Sequence, residues 1–133
     1  MWGFGEGVFS EKEIKIYNVQ QKHYFYLMSK NNQIIQRIIN VANKTAPDSE
    51  VYLYGSRAKG KAKRISDWDL LILLNSANIS FDFETKFMDE FYEIELETGE
   101  IISPLIYSKQ QWLEDYSFTP LFKNIKNEGI RLK

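Results

Sequence analysis

Two aspartates separated by one residue, Asp67 and Asp69, stand at the entrance to the apolar run of residues 70–74. In an extended strand, side chains i and i+2 leave the same face about 6.6 Å apart, so the two carboxylates converge while Trp68 points the other way. Like charges at that spacing invite a divalent cation, and hard Mg²⁺ takes carboxylate, water and phosphate oxygens in an octahedral shell. Upstream, the β-rich run VYLY ends at Gly55-Ser56. A glycine there allows close approach of backbone to phosphate, and the amides around Ser56 and Arg57 suit an anion-binding turn.

The whole stretch, GSRAKGKAKRISDWD, also contains the spacing G-x-x-x-x-G-K over residues 55–61. A Walker loop requires a Ser or Thr hydroxyl next, for its magnesium, and then a helix. Ala62 stands in that place, and a short basic connection leads instead to acids and another strand. A P-loop NTPase is therefore rejected. So is a calcium EF-hand, whose ordered oxygen ligands and terminal Glu are missing. Taken alone, an Asp-x-Asp pair is common, and a basic run such as Arg57, Lys59, Lys61, Lys63 and Arg64 is as often a solvated turn. A phosphate loop beside paired acids is what gives the stretch weight.

Composition bounds what surrounds this stretch. A chain of 133 residues has the size of one ordinary domain, and its 44% apolar content, rich in Phe and Tyr, argues against disorder. Without cysteine there is no disulfide, no thiol nucleophile and no thiolate-bound metal, which leaves oxygen ligands or the single His23. His23 has no ligand partners nearby in sequence and reads as structural or exposed. No apolar run approaches the roughly 20 residues that cross a bilayer, and the first residues lack a secretory pattern, so the expectation is a soluble cytoplasmic protein with no membrane. The net charge of -1 gives no broad attraction to nucleic acid. Binding of single strands through residues 57–64, with aromatics as stacking surfaces, is further opposed by the acids between Glu84 and Glu97.

The elements that must position the site follow from periodicity. Residues 1–27 are aromatic-rich with weak alternation, compatible with an edge strand or a docked arm, and are set apart as an extension of uncertain structure. Apolar residues at 34, 35, 38, 39, 41 and 42 recur at a helical period until Ala46-Pro47 ends it. Residues 51–54 and 70–74 read as strands. Phe83, Phe87, Met88, Phe91 and Ile94 form one side of a helix that Gly99 stops. Residues 101–108 form a third strand, with Pro104 marking an edge or a bulge. Ser108 and Gln111 have capping-box spacing, and Thr119-Pro120 opens a last helix ended by Gly129. Helix, strand, loop, strand, helix, strand, helix, helix predicts an α/β fold, a small mixed sheet packed with helices.

At this point the residues carry a specific resemblance. GSRAKGKAKRISDWDLLILL resembles the Gly-Ser, spacer, Asp-x-Asp signature of the nucleotidyltransferase superfamily related to DNA polymerase β, and more narrowly the small minimal nucleotidyltransferases. The resemblance covers residues 28–133 and implies the nucleotidyltransferase fold. It also implies that Gly55 and Ser56 hold the β- and γ-phosphates of ATP or another nucleoside triphosphate, with Arg57 and Lys63 adding charge. Asp67 and Asp69 would bind Mg²⁺, or Mn²⁺ in its place. An acceptor hydroxyl, on a protein, a small molecule or an RNA end, would attack the α-phosphate as pyrophosphate leaves.

Active members carry a third carboxylate on the neighbouring strand, and the matching position here is Ser103, followed by Pro104. Three outcomes stay open: Glu100 supplies the acid, Glu93 or Glu95 reaches in from the preceding segment, or the site has two carboxylates only. Two functions follow. One is an enzyme transferring a nucleoside monophosphate, with AMP from ATP the first expectation and an acceptor pocket completed by a second copy or a partner. The other, implied by the same resemblance, is a weak or inactive antitoxin that binds a helical HEPN-type partner. The N-terminal aromatics and the Trp112-Tyr116 helix would then be either its interface or ordinary core.

Overall fold

The computed structural model describes residues 10–133, for residues 14 and 16–30 the backbone only. The chain falls into two compact units, residues 1–35 and 36–133, and helix α1, Glu11–Thr45, runs through both. Its start is fixed by a reciprocal cap. The Glu13 amide donates to Ser10 Oγ at 3.2 Å, and the Ser10 amide donates to Glu13 Oε2 at 3.4 Å. Residues 13–27 are thus helical, which corrects the edge-strand expectation: a capping box opens a helix whose aromatic and β-branched residues gave the weak alternation. What was expected of His23 lies outside the described side chains.

Within residues 36–133 the elements follow in the order β1 Glu50–Tyr54, α2 Gly55–Ala58, β2 Trp68–Leu74, α3 Phe81–Thr98, β3 Ile102–Ser108, α4 Lys109–Asp115, α5 Pro120–Glu128 and β4 Ile130–Arg131. The strands form one mixed sheet in the order β3-β2-β1-β4. β1 runs antiparallel to β2 and β4, and β3 runs parallel to β2. Strand β3 lies at the sheet edge, where a proline is tolerated because one side of the strand has no ladder to serve. The two-residue β4 was not anticipated. A strand that short has no pattern of its own and exists because Tyr52 and Leu53 offer it a partner.

Alternation along β2 divides the core in two. Leu71 and Leu73 pack with Trp112 and Ile125 of α4 and α5, joined by half-buried Tyr52, Tyr54, Leu105, Tyr107, Tyr116, Leu121 and Phe122. Trp68, Leu70, Ile72 and Leu74 point the opposite way and are also buried. The second helical layer supplies Ile38, Val41 and Ala42 of α1 with Phe87, Phe91 and Ile94 of α3. Arg37–Glu97 at 2.7 Å and Lys44–Glu90 at 2.8 Å tie those two helices together. Burial of both faces explains why β2 reads as a continuous apolar run rather than an alternating one.

Helices start and stop at capping residues, of which Ser108, Thr119 and Gly99 are ones the sequence marked. Ser80, Ser108 and Thr119 each accept from the amide three residues on, at 3.1, 3.0 and 3.2 Å. Gly99 closes α3 in the left-handed region at φ 74°, a conformation that favours glycine. Trp112 is buried at 4% exposure, so this helix contributes its tryptophan to the core rather than to a partner surface. Among the described residues no helix is long and apolar enough to cross a membrane.

Ile72 is fully buried in the central strand, so its volume should set stability in steps. Ile72→Val is expected to cost about 1 kcal/mol and Ile72→Ala about 2–5 kcal/mol in urea unfolding; equal costs would show that the site collapses around the smaller side chain.

Candidate functional site

The register places the expected residues on one sheet end. Tyr54, the last residue of β1, stands opposite Asp69, and Asp69 stands beside Ser103 in the parallel pair. Asp69, Tyr54 and Ser103 therefore share the face of Leu71, Tyr52 and Leu105, while Trp68 enters the other layer. Asp67 lies just before β2, exposed, and accepts a hydrogen bond from Ser103 Oγ at 3.2 Å.

Gly55 turns the chain out of β1 with φ 74°. A side chain there would be strained, and its Cβ would collide with the Asp69 carboxylate. Glycine is required because an acid from the next strand occupies the space a side chain would fill. One helical turn follows, with Lys59 N bonded to Gly55 O at 3.2 Å and Lys61 N to Ser56 O at 2.9 Å. This turn brings Ser56 to the same end as the acids. Lys63 is exposed on the loop beyond, where its amide donates to Ser66 Oγ at 2.8 Å.

Arg57 goes elsewhere. Its side chain is 9% exposed, and Nε and Nη2 both donate to the Ser66 carbonyl, at 3.0 and 2.7 Å. Nη2 also meets Glu100 Oε2 at 3.2 Å, and the guanidinium lies 4.3 Å from the centre of the Trp68 ring. The same Glu100 oxygen accepts from Trp68 Nε1 at 3.1 Å. Arg57 was expected to add charge to a triphosphate; the structure instead engages its donors in fixing Ser66, the residue before Asp67. Glu100 was a candidate third ligand; the structure engages it with Arg57 and the indole and does not bring it to Asp67 and Asp69. Glu93 lines a groove of about 370 Å³ with Arg37, Lys44 and Glu97 between α1 and α3.

The acids that do meet repel each other. Burial raises the Asp69 carboxyl above its ordinary pKa, and the nearby charge of Asp67 raises it further. Burial, then Asp69, then Tyr107 likewise raise the Tyr54 phenol. Tyr107 stacks at 5.7 Å on Trp112 and lies tilted at 4.7 Å from Tyr116, which makes an aromatic floor on the sheet face that Asp69 shares. Sequence reasoning missed this floor. Its signal was the period of two in Tyr52, Tyr54, Leu105 and Tyr107.

Among the described residues no group of three or more His, Cys, Asp or Glu side chains is placed to hold a metal ion. Two carboxylates and the Ser103 hydroxyl are nevertheless all hard oxygen donors, and a divalent cation between Asp67 and Asp69 would relieve their repulsion. Such a set suits Mg²⁺ with its remaining positions filled by water and phosphate.

The profile of the family described as Polymerase beta, Nucleotidyltransferase matches residues 36–132. No curated protein matches the chain. Among solved structures, a chain of a toxin–antitoxin crystal structure with AMP-PNP is similar at 17% identity and a TM-score of 0.55, covering 74% of this chain and 72% of that one. A chain in a mutant of the toxin–antitoxin pair MntA–HpeT is similar at 15% identity and a TM-score of 0.54, with the same coverage. At these identities the likeness is one of fold.

Two outcomes are expected. Since the Asp69 pKa is raised on folding, its contribution to stability is present in full below the unfolded pKa and is lost as pH rises through the folded one. Metal-free protein should therefore gain stability in acid over this range, and Asp69→Asn should raise its Tm at pH 7 and flatten that part of the profile. Arg57→Ala, which strands Glu100 and the Ser66 carbonyl, should cost about 3–5 kcal/mol in urea unfolding. Arg57→Lys should recover only part of that, because an ammonium cannot reproduce the planar fork.

Proposed function

The chain belongs to the polymerase beta nucleotidyltransferase family, and on that premise we propose that it binds a magnesium–nucleoside triphosphate, ATP foremost, as the antitoxin-type half of a two-protein pair. Its partner in this reading is a helical, HEPN-type protein. The observation that carries the reading is Ser103. Beside Asp69, and bonded to Asp67 at 3.2 Å, a hydroxyl stands where a transferring site has a third carboxylate. Likeness to chains of toxin–antitoxin structures, one of them with AMP-PNP, supports both the nucleotide and the pairing.

In this reading Gly55 and Ser56 receive the β- and γ-phosphates, Lys63 adds an exposed charge, and Asp67 and Asp69 hold Mg²⁺ or Mn²⁺. When bound, the metal supplies charge neutralisation at the phosphates. Arg57 serves from behind: it fixes Ser66 and hence the direction in which Asp67 leaves the loop. Deprotonation of an acceptor hydroxyl needs a base near the attacking oxygen. Asp67 is the exposed carboxylate available, without a third acid among the described residues to divide metal binding from proton acceptance. Binding should thus outlast transfer.

A second reading, transfer of AMP to an acceptor hydroxyl, is favoured by one contact. Asp67 already accepts a hydrogen bond from a hydroxyl, that of Ser103, and an acceptor hydroxyl could take that place.

Thermal shift and calorimetry with Mg-ATP separate these readings. At a ligand concentration of about 100 Kd the protein should gain about 2.7 kcal/mol, and Asp67→Asn should abolish the gain. With α-labelled ATP and the co-purified partner, transfer should be slow, and Ser103→Asp should raise it on the order of 10²-fold. Fast transfer by the unsubstituted protein would establish the second reading. Absence of nucleotide binding, or binding that Asp67→Asn leaves unchanged, would exclude the site itself.

A further inference from the structure

Helix α3 presents a second face that the core does not use. Phe87, Phe91 and Ile94 point inward, whereas Phe81, Met88, Tyr92 and Leu96 recur on the other side and stay 82%, 44%, 57% and 62% exposed. At helical spacing these four, with Thr85, make one continuous row along the 18 residues of the helix. Acids border it on both sides. Asp82, Asp89 and Glu93 follow one edge, and Glu84 and Glu95 the other, by the same spacing. The remaining acids of α3, Glu90 and Glu97, are paired with Lys44 and Arg37. The five that flank the row have no such ion pair among the described residues. Lys86 is the only basic residue in the helix.

A row of large apolar side chains between two acidic rows sets narrow terms for what covers it. Anionic bilayers and nucleic acid are repelled. A second copy offering the same face would set each acidic row against another, a like-charge arrangement that disfavours pairing. Residues 1–9 contain Glu6 and no basic side chain, so they lack the charge to match. The complementary occupant is cationic, apolar along one line and long enough to follow several helical turns.

We propose that the outward face of α3 docks an amphipathic helix of a partner protein, one whose apolar stripe is bordered by Lys and Arg. This names the surface and the chemistry of the partner in the pair described above, and it rests on that reading. The mode is helix on helix, with Phe81, Met88, Tyr92 and Leu96 as anchors and the acids fixing register and orientation. The site end of the sheet stays open in this arrangement, since α3 belongs to the layer opposite Asp69 and Ser103.

The test uses the full chain and two synthetic helical peptides with the same leucine stripe, one bordered by Lys and Arg, the other by Glu. Fluorescence anisotropy should show the basic peptide binding at least about tenfold tighter than the acidic one. Tyr92→Ala with Leu96→Ala should weaken it about tenfold, and Asp89→Lys with Glu93→Lys should weaken it and reduce its salt dependence. Melting curves should match the unsubstituted protein, as these residues are exposed. Equal binding of both peptides, or basic-peptide binding that ignores both double variants, overturns the proposal. So does self-association abolished by Leu96→Glu, or a large gain in affinity on deleting residues 1–9, since either would show a different occupant. Asp67→Asn should leave peptide binding unchanged, so failure of this surface is distinguishable from failure of the nucleotide reading.

Discussion

A buried guanidinium holds the site end of this sheet together. Arg57 leaves a helical turn that begins at Gly55, reaches back to the Ser66 carbonyl, lies over Trp68 and meets Glu100. These groups come from the end of β1, the approach to β2 and the approach to β3. Buried charge is costly unless its donors are satisfied, and here a carboxylate, a carbonyl and an aromatic face satisfy them together. With this end of the loop pinned, residues 61–65 can remain exposed without loosening the place where Asp67 emerges. Removing the fork would leave Asp67 on a loop end with no fixed direction.

Strand parity converts that anchor into a site. Because successive side chains leave opposite faces, Trp68 must enter the layer of Arg57 and Glu100 if Asp67 and Asp69 are to meet Ser103. The indole between two acids is thus a wedge on one face and a spacer on the other. Its Nε1 bond to Glu100 fixes a carboxylate that would otherwise be a candidate ligand. The same parity puts Tyr54 behind Asp69 and supplies the burial that raises its pKa. Gly55 completes the arrangement, since only a residue without Cβ leaves room for the Asp69 carboxylate.

Much of this was legible in sequence, and the exceptions share a cause. Strands β1 and β2, helix α3 and the caps at Ser80, Ser108, Thr119 and Gly99 are written in local spacing or local chemistry; of these caps only Ser80 went unread. Gly55, Asp67 and Asp69 were readable because glycine, serine and paired acids at that interval carry a recognisable pattern, and Ser103 because the strand that bears it was assigned. What could not be read was where long side chains end. Arg57 sits among Lys59, Lys61, Lys63 and Arg64, and composition cannot separate the one buried cation from its exposed neighbours. Glu100 was likewise placed by the chain interval and not by its partners, which come from residues 57 and 68. The helix over residues 11–30 was missed for a different reason: aromatic and β-branched residues there obscured the period, and the Ser10–Glu13 box was passed over.

The hydroxyl at Ser103 has an energetic logic as well as a catalytic one. A third carboxylate at that register would face Asp69 across the parallel pair and Asp67 across a single hydrogen-bond distance. The repulsion that adds to burial in raising the Asp69 pKa would be compounded whenever no cation is present. Serine removes that charge and donates to Asp67 instead, so the metal-free fold keeps a bonded carboxylate where a fuller site would hold strained acids. Sites built for chemistry commonly store such strain. Under the proposed reading, in which the chain binds nucleotide and a partner, relaxing it is a gain, and the cost falls on activation of an acceptor hydroxyl. The balance between two acids and three thus sets how far this fold is an enzyme and how far a stable binding surface.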